Sequence, residues 1–161
     1  MTHHDPSGVP PYGQPGGPVP GQPSAPGRPV PQYGAYGAAA SKVDFLNHYF
    51  PGAAGTEVEA AMLASVEEAG KQADLFTPDG FVAAQMIVHA IEEGGDDVDA
   101  MVDALEGWSF DGPKGTTTVR ASDHALVQPM YQVKLVPEGD GWVPELVAEV
   151  PGDDVAPAEA G

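Results

Sequence analysis

The chain has 161 residues, with 24 acidic side chains against 6 basic ones, a formal net charge of −18 and no cysteine. A polymer of that charge is repelled by phosphate backbones and anionic membrane surfaces, which excludes nucleic acid as a partner. The missing cysteine rules out disulfides, thiolate metal sites, a cysteine nucleophile and a lipidated cysteine.

Residues 1–40 are rich in Pro, Gly and Ala and contain no Ile, Leu or Phe. Such a segment cannot offset its ordering entropy, so it is expected to be disordered with polyproline II character. Asp5 and Arg28 cancel within it, which leaves the whole −18 on residues 41–161. "PGRPVP" at 26–31 has Pro-x-x-Pro spacing beside Arg28, a spacing that proline-rich tracts also produce by chance. His3-His4 on a loose end makes a weak metal site. The start of the chain lacks a basic stretch followed by an apolar one, and no apolar run is long enough to span a bilayer.

The composition changes at Val43. "VDFLNHYF" (43–50) reads as a strand ended by Pro51. Thr56 and Glu59 form a capping box, with Val58, Met62 and Val66 at helical spacing and Gly70 as the stop. A second helix is expected to have Thr77 as N-cap and Pro78 in its first position. Its run "FVAAQMIVHAI" (81–91) is apolar almost all round and predicts burial on two sides. Gly94-Gly95 ends it. Asp96 or Asp97 caps a third helix, in which Val98, Met101, Val102 and Leu105 share a face, and Gly107 closes it. The period then switches to two. Residues 116–120 and 129–136 read as strands separated by the polar "ASDHALVQ", and a last short strand is placed at 142–147. Beyond Pro151 the chain reads as a frayed acidic end. The order strand, helix, helix, helix, strands is an α/β pattern.

Four chemical readings fail on the residues. "GWSFDGPKGT" has the glycine spacing of a phosphate loop, but Pro113 deletes an N–H where the cradle needs one, and a β-rich run follows where a helix should. The segment is therefore expected to be a chain-reversing turn. "DDVDAMVDALE" puts Met101 and Val102 where a calcium loop needs an oxygen ligand and a glycine. His48, His89 and His124 have no partners at metal-ligand spacing, and His89 is expected to be packed or hydrogen-bonded. Ser122, Asp123 and His124 are neighbours on a loop with no nucleophile elbow. No catalytic set emerges, and neither a metal nor a cofactor is expected.

"DLFTPDGFVAAQMIVHAIEEGG", "ALEG", "FDGPKGTTTVR" and "DHALVQPMY", in that order, resemble the C-terminal portion of substrate-binding proteins of branched-chain amino-acid ABC transporters, the leucine-binding-like type I periplasmic binding proteins. The resemblance covers residues 43–150. It implies a partial type I periplasmic-binding-protein fold of α/β class, a small ligand such as a branched-chain amino acid held between two lobes, an ABC permease as partner and an extracytoplasmic location. It also implies that the apolar second helix is sandwiched against a larger sheet. Tyr49, Asp79 and Phe81 become candidate ligand contacts, with Asp79 facing a ligand amine. Family members are much longer, and the part not matched is the N-terminal one. Many of them carry Tyr-Asp where this chain has Phe81-Val82. The domain reading is a leader at 1–40, a binding-protein part at 41–150 and an acidic end at 151–161. A truncated or fused frame is one expectation from this. The alternative is an interaction protein, with a proline-rich tail on a small acidic α/β module.

Overall fold

The computed structural model describes residues 34–159. The leader's residues 1–33, with their expected disorder, the Pro-x-x-Pro stretch and His3-His4, lie outside these residues. Two antiparallel three-stranded sheets carry the fold. The first has the order β1 (Asp44–Asn47), β5 (Met130–Glu138), β6 (Gly141–Val150). The second has the order β2 (Ser109–Gly112), β3 (Gly115–Val119), β4 (Leu126–Val127). Three helices lie between β1 and β2 in the chain: α1 (Glu57–Glu68), α2 (Thr77–Gly94) and α3 (Val98–Leu105).

β5 alternates as a half-buried strand should. Tyr131, Val133 and Leu135 are buried while Gln132 and Lys134 face solvent. Tyr49, Ala53 and Met62 join Tyr131 and Val133 in the core, with Phe81 and Phe45 packed against them. Each fully buried large side chain contributes roughly 1.5–3 kcal/mol, so this cluster anchors β1, α1 and α2 to the first sheet.

β1 is shorter than the expected 43–50. Its register runs Asp44↔Lys134 to Asn47↔Tyr131, and the strand opposite runs out at Pro129, which has no N–H to give. Two strands were not expected. β2 and β4 are short, and each is supported mainly by pairing to β3. β6 starts one residue before the expected 142–147 and runs three residues past it, with one irregularity opposite Gln132/Val133.

The helix ends correct two expectations. Thr56 does cap α1, accepting the Glu59 N–H at 3.0 Å. The Glu59 carboxylate, however, does not return to the cap. It accepts the Gly52 and Gly55 N–H groups at 2.9 and 2.7 Å, tying the loop before the helix. Gly70 ends α1 in a left-handed turn, with Gly70 N–H on the Glu67 carbonyl and Lys71 N–H on the Val66 carbonyl. For α2 the N-cap is Phe76, not Thr77. The Asp74 carboxylate organises that end, accepting from the Phe76 N–H and the Thr77 hydroxyl at 3.0 and 2.9 Å. Asp97 caps α3, accepting from Asp99 and Ala100 N–H.

α2 is not buried on two sides. Pro78, Val82 and Ala90 are buried, but Ile87, Val88 and Ile91 are 60, 54 and 53 % exposed. Its packing comes chiefly from α3, with small contributions from α1 and β2. On α3, Val98 and Val102 are likewise exposed.

Both ends of the described region are more ordered than composition implies. A 3-10 segment at Gly34–Lys42 lies on β5, with Ala40 buried and Tyr36 stacked on Phe45 at 6.2 Å. Past Pro151 a helical turn, α4 (Gly152–Val155), forms, and Arg120 donates to the Pro157 carbonyl at 2.9 Å.

Candidate functional site

The stretch around "DGPKG" is a two-residue β-hairpin. Gly112 pairs with Gly115, leaving Pro113 and Lys114 at the tip. Gly115 takes a positive φ of 109°, which glycine adopts without strain. Gly112 is boxed in, because a Cβ there would sit 2.9 Å from the Thr117 hydroxyl.

The tip is buried rather than presented to solvent. The Pro113 carbonyl accepts the Thr56 hydroxyl at 3.0 Å, and the Lys114 carbonyl accepts the Tyr131 hydroxyl at 2.9 Å. The Lys114 side chain is fully buried. It turns inward and donates to His48 Nδ1 at 3.2 Å. Since Nδ1 accepts from an ammonium, the His48 proton sits on Nε2, which donates to Asp79 Oδ1 at 2.8 Å. A Lys–His–Asp chain thus links the hairpin, the residue after β1 and the first turn of α2. Burial pulls the Lys114 amine down to about 8, against the opposing pull of the Asp79 carboxylate. This geometry removes the phosphate-loop reading a second time, since the lysine faces the interior.

The three sequence candidates lie close together but face different surroundings. Asp79 is partly exposed and holds His48. Phe81, two positions on, turns toward α1 and packs on the core. With Thr77, Gly80 and Ala84 of α2 and Met62 and Val66 of α1 it lines an open, largely apolar groove of about 360 Å³. Tyr49 is inside the core, and burial together with the adjacent Glu59 carboxylate raises its hydroxyl well above the tyrosine range. That hydroxyl makes no well-formed hydrogen bond. His48 and Lys114 were missed as a pair, because 66 residues separate them and only the folded hairpin joins them.

The other polar clusters are local. Asp123 clamps Arg120 through both oxygens at 2.8 and 2.6 Å, and His124 reaches Glu106 at 2.8 Å, so Ser122, Asp123 and His124 form no triad. His89 is both stacked and hydrogen-bonded. It lies face to face with Trp108 at 3.9 Å and donates to the Ala104 carbonyl at 3.2 Å, and Trp108 in turn stacks on Phe110 at 4.0 Å. Among the described residues no group of His, Asp or Glu is arranged to hold a metal ion, and no helix is long and apolar enough to cross a membrane.

Comparison with known proteins places the fold. The structure is similar to that of an ABC-type branched-chain amino acid transporter from Rhodopseudomonas palustris, with 26% identity, a TM-score of 0.69, and coverage of 80% of this chain and 35% of that one. It also matches the leucine-, isoleucine-, valine-, threonine- and alanine-binding protein of Brucella ovis (21% identity, TM-score 0.61, 78% of this chain and 35% of that one). A third match is an R. palustris ABC-transporter solute binding protein solved with 4-hydroxybenzoate (15% identity, TM-score 0.66, 78% of this chain and 35% of that one). The chain thus spans about a third of the length of these structures. No curated protein sequence matches it. The mixed helix–strand architecture is part of a periplasmic-binding-protein fold, and the family model described as periplasmic binding protein matches residues 23–140. The chain belongs to the periplasmic binding protein family.

Proposed function

We propose that the protein is a solute-binding component of an ABC uptake transporter, works outside the cytoplasm, hands its ligand to a membrane permease and catalyses no reaction. The observation that carries this is family membership joined to 26% identity with a branched-chain amino acid transporter component. In this reading residues 41–150 are the binding part, 1–40 a leader and 151–161 an acidic end.

We assign an amino acid as ligand class, with Asp79 and Phe81 as its contacts and Tyr49, 1 % exposed, packed in the core rather than against the ligand. The Asp79 carboxylate uses one oxygen on His48, and its partly exposed side chain suits a ligand ammonium. Phe81 lines an apolar groove that suits an aliphatic side chain. Tyr49 lies in the core cluster on which Phe81 packs.

A thermal-shift panel tests it. Leucine, isoleucine and valine should raise the melting temperature of the 161-residue protein in proportion to the logarithm of their concentration, as mass action requires. Asp79→Ala should abolish the shift. A response to 4-hydroxybenzoate with none to the amino acids overturns the ligand class. No response to either overturns the binding reading for this chain.

A further inference from the structure

Burying a lysine cation costs stability unless partners satisfy it. The Lys114 side chain is fully buried, yet among the described residues its amine makes one hydrogen bond, to His48 Nδ1 at 3.2 Å. An ammonium can donate three. The hairpin tip does not depend on that amine, because the Pro113 and Lys114 carbonyls already accept from Thr56 and Tyr131. A buried charge of this kind beside a candidate site points to a role in that site.

The groups in line with Lys114 define the role. His48 carries the contact onward, its Nε2 donating to Asp79 Oδ1 at 2.8 Å, and the Asp79 side chain is partly exposed. The other titratable groups around the tip are Tyr131 on β5, Tyr49 after β1 and Glu59 on α1. Burial raises both tyrosine hydroxyls well above the tyrosine range, so they stay neutral, and the Glu59 carboxylate accepts the Gly52 and Gly55 N–H groups. The carboxylate that opposes burial at the Lys114 amine is Asp79. A cation on Lys114 therefore offsets the negative charge that Asp79 presents to a ligand. A ligand cation on Asp79 in turn repels the lysine proton, since such coupling is reciprocal.

We propose that Lys114 is a positioning residue for the ligand ammonium: through the His48 ring it sets how strongly the Asp79 carboxylate attracts that cation, and its proton passes to the buffer when the cation binds. This rests on Asp79 being the contact of the ligand ammonium. Two cations about one imidazole apart, at an effective dielectric of about 20, repel enough to change affinity about tenfold. The Lys114 amine titrates at about 8 without ligand. A tenfold coupling lowers that midpoint by about one unit. Each leucine bound at pH 7.5 should then release about half a proton, and leucine affinity should rise about fourfold between pH 7 and pH 8.5.

Calorimetry of leucine binding to the 161-residue protein at pH 7.5, in phosphate and in Tris, measures the release, because the two buffers take up a proton with different heats. Release of about half a proton that vanishes in Lys114→Met is the expected result. That variant should also bind leucine severalfold tighter than wild type at pH 7 and as tightly at pH 9. Lys114→Gln replaces it if the methionine variant loses the wild-type circular dichroism. Binding whose heat is the same in both buffers overturns this inference and leaves the amino-acid reading standing. Release that persists in the Lys114 variant traces to His48 and overturns it as well. No binding of leucine, isoleucine or valine ends the amino-acid reading and this inference with it.

Discussion

Lys114 sets a pH dependence of stability whose sign is opposite to that of a lysine whose pKa an ion pair raises. Its amine is fully buried, donates to His48, and titrates near 8 in the folded protein against 10.5 when solvated. Below pH 8 it is charged in both states, and folding bears the whole cost of burying it. Between pH 8 and 10.5 the folded state releases the proton while the unfolded chain keeps it, so stability rises with pH. The difference is 2.5 units at 1.36 kcal/mol per unit, or about 3 kcal/mol. Tyr49 and Tyr131 act in the other direction. Burial raises both hydroxyls, so above about pH 10 the unfolded chain loses phenolic protons first and stability falls. Urea unfolding followed by Trp fluorescence should therefore give a maximum near pH 10. Lys114→Met keeps the stem's bulk and removes the charge. The lost charge-assisted hydrogen bond is worth about 1.5–3 kcal/mol at most, and water can serve the partly exposed His48. The variant should be as stable as wild type or slightly more so at pH 7, and flat from pH 8 to 10. A flat wild-type profile, or a slope that survives in the variant, would refute this reasoning.

Glu59→Ala removes the acceptor for two loop N–H groups and should cost about 2–4 kcal/mol in urea unfolding, with Glu59→Gln intermediate. A loss under about 0.5 kcal/mol would show that the loop does not depend on that carboxylate. Gly94→Ala sets two effects against each other. Alanine favours the helix by about 1 kcal/mol, but its Cβ would lie 2.5 Å from the Met101 backbone nitrogen, and such overpacking costs about 1–3 kcal/mol or more. Net destabilisation with altered Trp108 fluorescence is expected, and a stabilised variant would mean that α3 shifts freely. Tyr131→Phe deletes the hydroxyl that holds the Lys114 carbonyl and should cost about 1 kcal/mol. If the cost is nil, the hairpin tip is held by Thr56 and Pro113 alone.

What could be read from the residues was local. Thr56, Gly70, Asp97 and the alternation of Tyr131, Val133 and Leu135 state their roles within a few positions, and the structure agrees on each. The chain reversal at Pro113 was equally plain, because proline and glycine restrict their own backbone. Partnership across long separations was not legible. Glu59 fits a capping box by spacing, yet its carboxylate is drawn to Gly52 and Gly55 by a loop whose path spacing does not encode. The Lys114–His48–Asp79 chain needs three segments to meet. The burial of α2 was misjudged for another reason. Apolar residues all round a helix report that it wants neighbours on every side, not that residues 34–159 provide them.

The central proposal is that this member of the periplasmic binding protein family holds an amino acid. Isothermal calorimetry tests it most directly, with leucine, isoleucine and valine each titrated into the 161-residue protein at pH 7.5. Saturable heats that disappear in Asp79→Ala and weaken in Phe81→Ala are the predicted result. Flat titrations with all three amino acids, or heats that Asp79→Ala leaves unchanged, would contradict it.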